Sequence, residues 1–153
     1  MCNVFRVAFK ICENSGWTIT NLELQKILYI AQMFSIGQRG QPLFNETIEA
    51  WDYGPVIPDV YHKFKSFFAT SIQQYAFEKL GNDLCNEDEC KFIDKISEMV
   101  YGLKGWELVA ITHRPGSAWS NIYRPGAKHL QISVDAMKKE YQELWSLGEN
   151  GTK

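Results

Sequence analysis

Three side chains in this sequence are suited to acid–base work: His113 and the carboxylate pair Glu46 and Glu49. His113 falls at the expected end of a short helix, where the negative end of the dipole favours imidazolium, although Arg114 beside it opposes that. Glu46 and Glu49 share a face only if their segment is helical, and they need a buried cleft to act as acid and base. The plainer reading makes them solvated or hydrogen-bonded carboxylates, and makes His113 part of a rigid corner with Thr112 and Trp119. His62 reads as a surface residue and His129 as a loop residue. Cys85 and Cys90 stand at the edge of zinc-ligand spacing, but no second tight Cys/His pair completes a site. With Cys2 and Cys12 they read as ordinary thiols, and a core of this size needs no disulfide frame. The run Gly37-Gln38-Arg39-Gly40 is too short to cradle a phosphate, and no HExxH or G-x-S-x-G motif is present. Neither a metal nor a cofactor is expected.

A different chemistry, that of docking, is suggested by Trp51, Asp52, Tyr53, Gly54, Pro55, Val56, Pro58, Asp59 and Tyr61. The two prolines hold φ fixed in advance and lower the entropy cost of ordering the segment. A stiff aromatic–proline surface suits an interface, where aromatic anchors dominate. Trp51 itself reads first as a core residue.

The elements that must position these residues are mostly helical. Val4, Phe5, Ala8, Ile11 and Cys12 mark one helical face, closed by Asn14-Ser15-Gly16. Thr20 with Glu23 forms a capping box for a helix rich in apolar residues on several sides, expected to be central and to end at Gly37. Residues 37–45 read as a loop. Residues 47–51 favour a short strand, and Gly54-Pro55 keeps the following chain extended. Pro58 and Asp59 suit the first turn of the next helix, over residues 58–68, with Val60, Tyr61, Phe64, Phe67 and Phe68 on its apolar face. Residues 70–84 read as an edge strand or an irregular cover carrying Ile72, Tyr75, Phe77 and Leu80, ended by Gly81-Asn82-Asp83. Asn86 caps an acidic first turn, with Phe92, Ile93, Ile96, Met99, Val100 and Leu103 inward. Short helices follow over residues 106–113 and 117–123, and Ser133 caps a last one carrying Val134, Met137, Tyr141, Leu144 and Trp145. The fold class is therefore mainly α: a compact bundle of about six helices with one short β element near residues 47–57.

The chain has 153 residues, 45% hydrophobic and 14% aromatic, enough for one core. We expect a single domain over residues 1–147 and a polar C-terminal tail over 148–153. The net charge is −2 with both signs interspersed, which argues against nucleic acid as a partner. No apolar run approaches the roughly 20 residues that span a bilayer, and the N-terminus lacks signal-peptide order, so the expected location is cytoplasmic.

Several blocks stand in a fixed order: Leu24-Gln25-Lys26-Ile27-Leu28-Tyr29-Ile30-Ala31-Gln32, then Pro42-Leu43-Phe44, then Ile48-Glu49-Ala50-Trp51-Asp52-Tyr53-Gly54-Pro55-Val56-Ile57-Pro58, then Val60-Tyr61. Together they resemble the Panacea domain, a family of phage-associated and SocA-like antitoxin proteins. Thr112-His113 and Ala118-Trp119 match its second, weaker motif. The resemblance covers roughly residues 5–145 and implies a module that neutralises a cognate protein toxin, often encoded in an adjacent gene, by direct binding. It implies no catalytic residue. The matching positions are Gln25, Lys26, Tyr29, Trp51, Gly54, Pro55, Val56, Pro58, Tyr61, His113 and Trp119, and each can serve the fold or the contact. Two alternatives stand beside it: a small enzyme using His113 with Glu46 or Glu49, and an adaptor presenting a client protein to a protease or a transcription complex.

Overall fold

A computed structural model describes residues 1–79 and 85–145. The expected tail at 148–153, and Leu80 with Gly81-Asn82-Asp83, lie outside the described residues. The architecture is mainly α, with a small antiparallel pair of strands. In order it comprises α1 (Val4–Asn14), α2 (Asn21–Phe34), β1 (Glu49–Trp51), β2 (Gly54–Val56), α3 (Pro58–Phe64), α4 (Glu87–Val100), α5 (Gly105–His113), α6 (Ala118–Ile122) and α7 (Val134–Glu140).

The axis of the molecule is α2. Thr20 and Glu23 close the expected capping box at its start, and every residue from Leu24 to Phe34 is buried. A helix buried on all sides must have neighbours all round, and α1, α3, α4, α5, α7 and β2 pack against it. Gly37 is not its stop. The helix continues as one wide π turn, Ser35–Arg39, and ends at Gly40, whose φ of 74° is the left-handed cap. Gly37 is instead a contact position: a Cβ there would lie inside the Tyr141 ring. Tyr141 belongs to a second π turn, Tyr141–Trp145, that extends α7.

Asn86 and Glu89 form a capping box on α4, as its acidic first turn suggested. Met99 is exposed rather than in the core, beside the buried stripe of Phe92, Ile93, Ile96 and Val100. The helix after Pro58 is shorter than expected, giving way to a 3₁₀ turn, Lys65–Phe67, and Phe68 is exposed instead of buried. The stretch after it is an irregular cover: Ile72 N–H donates to the Ile19 carbonyl at 2.9 Å, and a 3₁₀ turn, Gln74–Phe77, places Phe77 against Phe9, Trp17 and Phe64.

One cysteine expectation is corrected. Cys2 and Cys85 are joined in a disulfide, with Cα atoms 4.9 Å apart, while Cys12 and Cys90 are free thiols. The pairing follows from where the N-terminus is laid. Cys2 N–H donates to the Leu43 carbonyl at 2.8 Å, and the N-terminal amine stands 3.5 Å from Glu89 in the first turn of α4. That path brings residue 2 beside residue 85.

Among the described residues no helix is long and apolar enough to cross a membrane, and no cluster of three His, Cys, Asp or Glu is placed to hold a metal.

Candidate functional site

The segment 41–57 reaches its place through polar side chains that α2 sends inward. Gln32 donates to the Phe44 carbonyl at 2.8 Å and accepts from the Leu43 and Phe44 amides at 2.8 and 3.2 Å. Gln25 accepts from Ile57 N–H at 2.8 Å and donates to Asn21 at 2.9 Å, and Asn21 in turn donates to the Tyr61 carbonyl at 3.1 Å. Lys26, fully buried, donates to the Pro55 carbonyl at 3.2 Å. These groups are enclosed, so each bond matters more for the penalty of leaving it unmade than for its modest net gain.

The strands form a short hairpin in the register Glu49↔Val56, Ala50↔Pro55, Trp51↔Gly54, with Asp52 and Tyr53 at the turn. Pro55 has no N–H to donate, and β2 lies at a ladder edge, where that loss is tolerated. Gly54 has φ 115°, a conformation side chains rarely adopt, and a Cβ there would sit 2.9 Å from both His113 Nε2 and Lys26 Cε. The Trp-x-x-Gly-Pro-Val spelling thus lets the hairpin backbone press onto Lys26 and His113. On its other side β1 meets a third extended segment: Ala50 N–H donates to the Leu130 carbonyl and Ile132 N–H to the Ile48 carbonyl, both at 2.8 Å.

Burial pushes the Lys26 amine from its ordinary 10.5 down to about 7. His113 is also held below its usual value, chiefly by burial and further by the Lys26 charge, with the Tyr53 backbone acting in the opposite sense. The His113 ring stacks on Trp119 at 3.8 Å between centroids, and Trp119 stacks on Tyr123 at 4.6 Å. Trp119 Nε1 donates to the Trp51 carbonyl at 2.6 Å, and the Tyr123 hydroxyl donates to Asp52. A second buried pin joins Tyr29, whose hydroxyl donates to Glu140, to α7; Glu140 also accepts from Ala118 N–H at 3.0 Å. Burial pushes the Glu140 carboxyl and the Tyr29 phenol up.

The opposite face of the hairpin is open. A groove of about 1040 Å³ opens there, lined by Trp51, Tyr53 and Tyr61 together with Tyr123, Lys128 and His129. Trp51 is half-buried rather than core: its ring meets Tyr61 at 5.0 Å, and its Nε1 donates to Glu49 at 2.9 Å. Glu49 also stands 3.5 Å from His129.

The sequence-selected residues therefore divide. Gln25, Lys26, Tyr29, Gly54, Pro55 and Val56 are buried. His113 and Trp119 are half-buried and join the two sides, and Trp51, Asp52, Tyr53 and Tyr61 line the groove. Gln25 and Val56 also contribute to the groove's lining, while Pro58 and Asp59 open α3 and do not line it. The trio His113, Glu46 and Glu49 is dispersed. Glu46 lines a separate hollow beside Gln32 and Met137, Glu49 lines the groove, and His113 lines neither. Three residues of the groove's lining, Tyr123, Lys128 and His129, were missed. The available signal was the four-residue spacing from Trp119 to Tyr123, which stacks two rings on a helix face.

The family model for the SocA-like antitoxin, Panacea domain, matches residues 24–120. The chain belongs to this family. Antitoxin SocA of Caulobacter vibrioides (strain NA1000 / CB15N) is 31% identical over 124 residues, covering 76% of this chain and 66% of that protein. The chain thus spans slightly under two thirds of that relative's length. No solved structure matches. The Panacea match takes in Gln25, Lys26 and Gln32 and the groove residues from Glu49 to Phe68, and it leaves out Tyr123, Lys128 and His129.

Proposed function

We propose that this chain is an antitoxin that neutralises a protein toxin by direct binding, with the toxin encoded in an adjacent gene of a phage or prophage. Membership of the SocA-like antitoxin family carries the reading, and the same family makes a toxin–antitoxin pair its natural setting. The geometry supports it: Tyr53 is 72% exposed at the hairpin tip, on a turn whose backbone is held rigidly from behind. A rigid loop with an exposed aromatic residue binds without a large ordering cost. The action requires no catalysis, only occlusion of the toxin.

The test is co-expression. Each open reading frame flanking the gene is expressed alone and together with this chain. One flanking product should arrest growth alone, become harmless with the chain, and co-purify with it as a stable complex, which buries about 800 Å² on each partner. Rescue of no flanking product, with no complex on purification, refutes the proposal.

A further inference from the structure

The groove carries two marks that the family reading does not explain. The first is strain. Trp17, Phe68 and His129 are the three non-glycine residues at positive φ among those described, and two of them, Phe68 and His129, line this groove. Phe68 has φ 53° and ψ −123°, a sparsely populated region, and its ring is 83% exposed. Backbone strain of this kind clusters at sites of binding or catalysis. Here an apolar residue of the groove's lining is left facing water, and His129, at 82% side-chain exposure, lines it too.

The second mark is charge. The groove's two carboxylates are already engaged: Asp52 accepts from Tyr123, and Glu49 accepts from Trp51 and faces His129. Lys65 and Lys128 also line it, are exposed, and make no ion pair among the described residues. The chain as a whole is −2, yet the uncommitted charge at this groove is positive. Its lining includes Trp51, Tyr53, Tyr61, Phe68 and Tyr123, and its volume of about 1040 Å³ slightly exceeds the roughly 300–1,000 Å³ of small-molecule sites.

We propose that this groove takes an extended, acidic segment of the toxin, with apolar side chains laid against Trp51 and Tyr61 and carboxylates reaching Lys65 and Lys128. This rests on the antitoxin reading and goes beyond it by naming the site and the chemistry of what fills it. Two lysines amid aromatic rings suit a peptide with interspersed carboxylates better than a continuous phosphate backbone, which calls for a broader basic surface.

Amide chemical shifts of the full chain test it against three probes. One is an amidated six-residue peptide alternating aspartate with phenylalanine or leucine. Another is the same peptide with lysine for each aspartate, and the last is hexathymidylate. The acidic peptide should move the amides around Trp51, Tyr61 and Lys128 and bind at least about tenfold more tightly than the other two. The double variant Lys65→Glu with Lys128→Glu, on exposed side chains that hold no part of the fold, should reverse the preference between the two peptides. Equal binding of both peptides, stronger binding of hexathymidylate, or no movement at millimolar peptide overturns the assignment. Co-expression separates the two claims. If the wild-type chain rescues and the double variant rescues equally well, the groove is wrong and the antitoxin reading stands. If the wild-type chain rescues nothing, the antitoxin reading itself fails.

Discussion

The two faces of one hairpin differ in kind: one is held by α2 and the other is presented to a groove. Its inner face lies on α2, where Gln25 and Lys26 take up the Ile57 amide and the Pro55 carbonyl. Its outer face offers Trp51 and Tyr53 to a groove. The inner side is made of buried polar bonds to backbone, and the outer side of half-buried and exposed rings. The difference separates what holds the segment from what the segment presents. Damage to the inner face should appear as lost stability, and damage to the outer face as lost recognition.

The largest effect is expected from Gly54→Ala. The new residue inherits φ 115° and meets His113 and Lys26 at 2.9 Å. Strain and overpacking together should cost on the order of 3 kcal/mol or more in urea unfolding. A loss under about 1 kcal/mol would mean that the hairpin does not press on α2 as described. Gln25→Ala comes next, at about 2–3 kcal/mol, because the Ile57 N–H is left buried without an acceptor.

Lys26 makes the inner face sensitive to pH. Its amine titrates near 7 when folded and at an ordinary 10.5 when unfolded. Above about pH 7 the unfolded chain binds more protons, so stability should rise with pH by at most about 1.4 kcal/mol per unit. Cys12 limits the window. Burial pushes its thiol from 9.0 up to about 12, so above about pH 9 the unfolded chain loses a proton that the folded chain keeps, which offsets the gain from Lys26, and the rise flattens. Unfolding curves between about pH 7 and 8.5 should show the rise in the wild-type chain and none in Lys26→Met. A rise of equal slope in both would assign the titration elsewhere.

Outer-face changes should be milder. Trp51→Ala removes a half-buried ring packed on Tyr61, and is expected to cost about 1–2 kcal/mol rather than the 3–5 of a core aromatic. Tyr53→Ser should stay within about 0.5 kcal/mol of wild type while reducing rescue from toxicity. A variant that lost stability and rescue in proportion would erase the distinction between the two faces.

Much of this was legible in the residues. The capping boxes Thr20/Glu23 and Asn86/Glu89 announce α2 and α4, because both halves of each box are local. The short β element near residues 47–57 follows from Gly54-Pro55, which no helix accommodates. Long-range pairings were not legible. Nothing near residue 130 signals that Leu130 and Ile132 flank β1, since that ladder depends on how α7 is docked. The Cys2–Cys85 pair spans 83 positions and is decided by the path of the N-terminus. Gln25 and Lys26 stood out in the sequence, but polar types inside a helix normally face water. Only the three-dimensional position of the hairpin shows why they are buried. Phe68 misled in the opposite direction: an apolar residue at helical spacing faces solvent because the chain turns to positive φ there.

The grips on the hairpin have one property in common. Gln25, Lys26, Gln32 and Trp119 hold main-chain atoms, of Ile57, Pro55, Leu43 with Phe44, and Trp51 respectively. A carbonyl or amide is the same group whatever side chain its residue bears. Tyr53, at the turn between these grips, can therefore be exchanged without disturbing what anchors it, whereas Asp52 holds the Tyr123 hydroxyl through its own side chain. Because most single changes erode a thin margin of stability, a surface that can be rewritten outside its own anchorage has an unusually open mutational path. A lineage carrying this hairpin could follow a drifting or wholly new adversary one residue at a time, with each intermediate still folded.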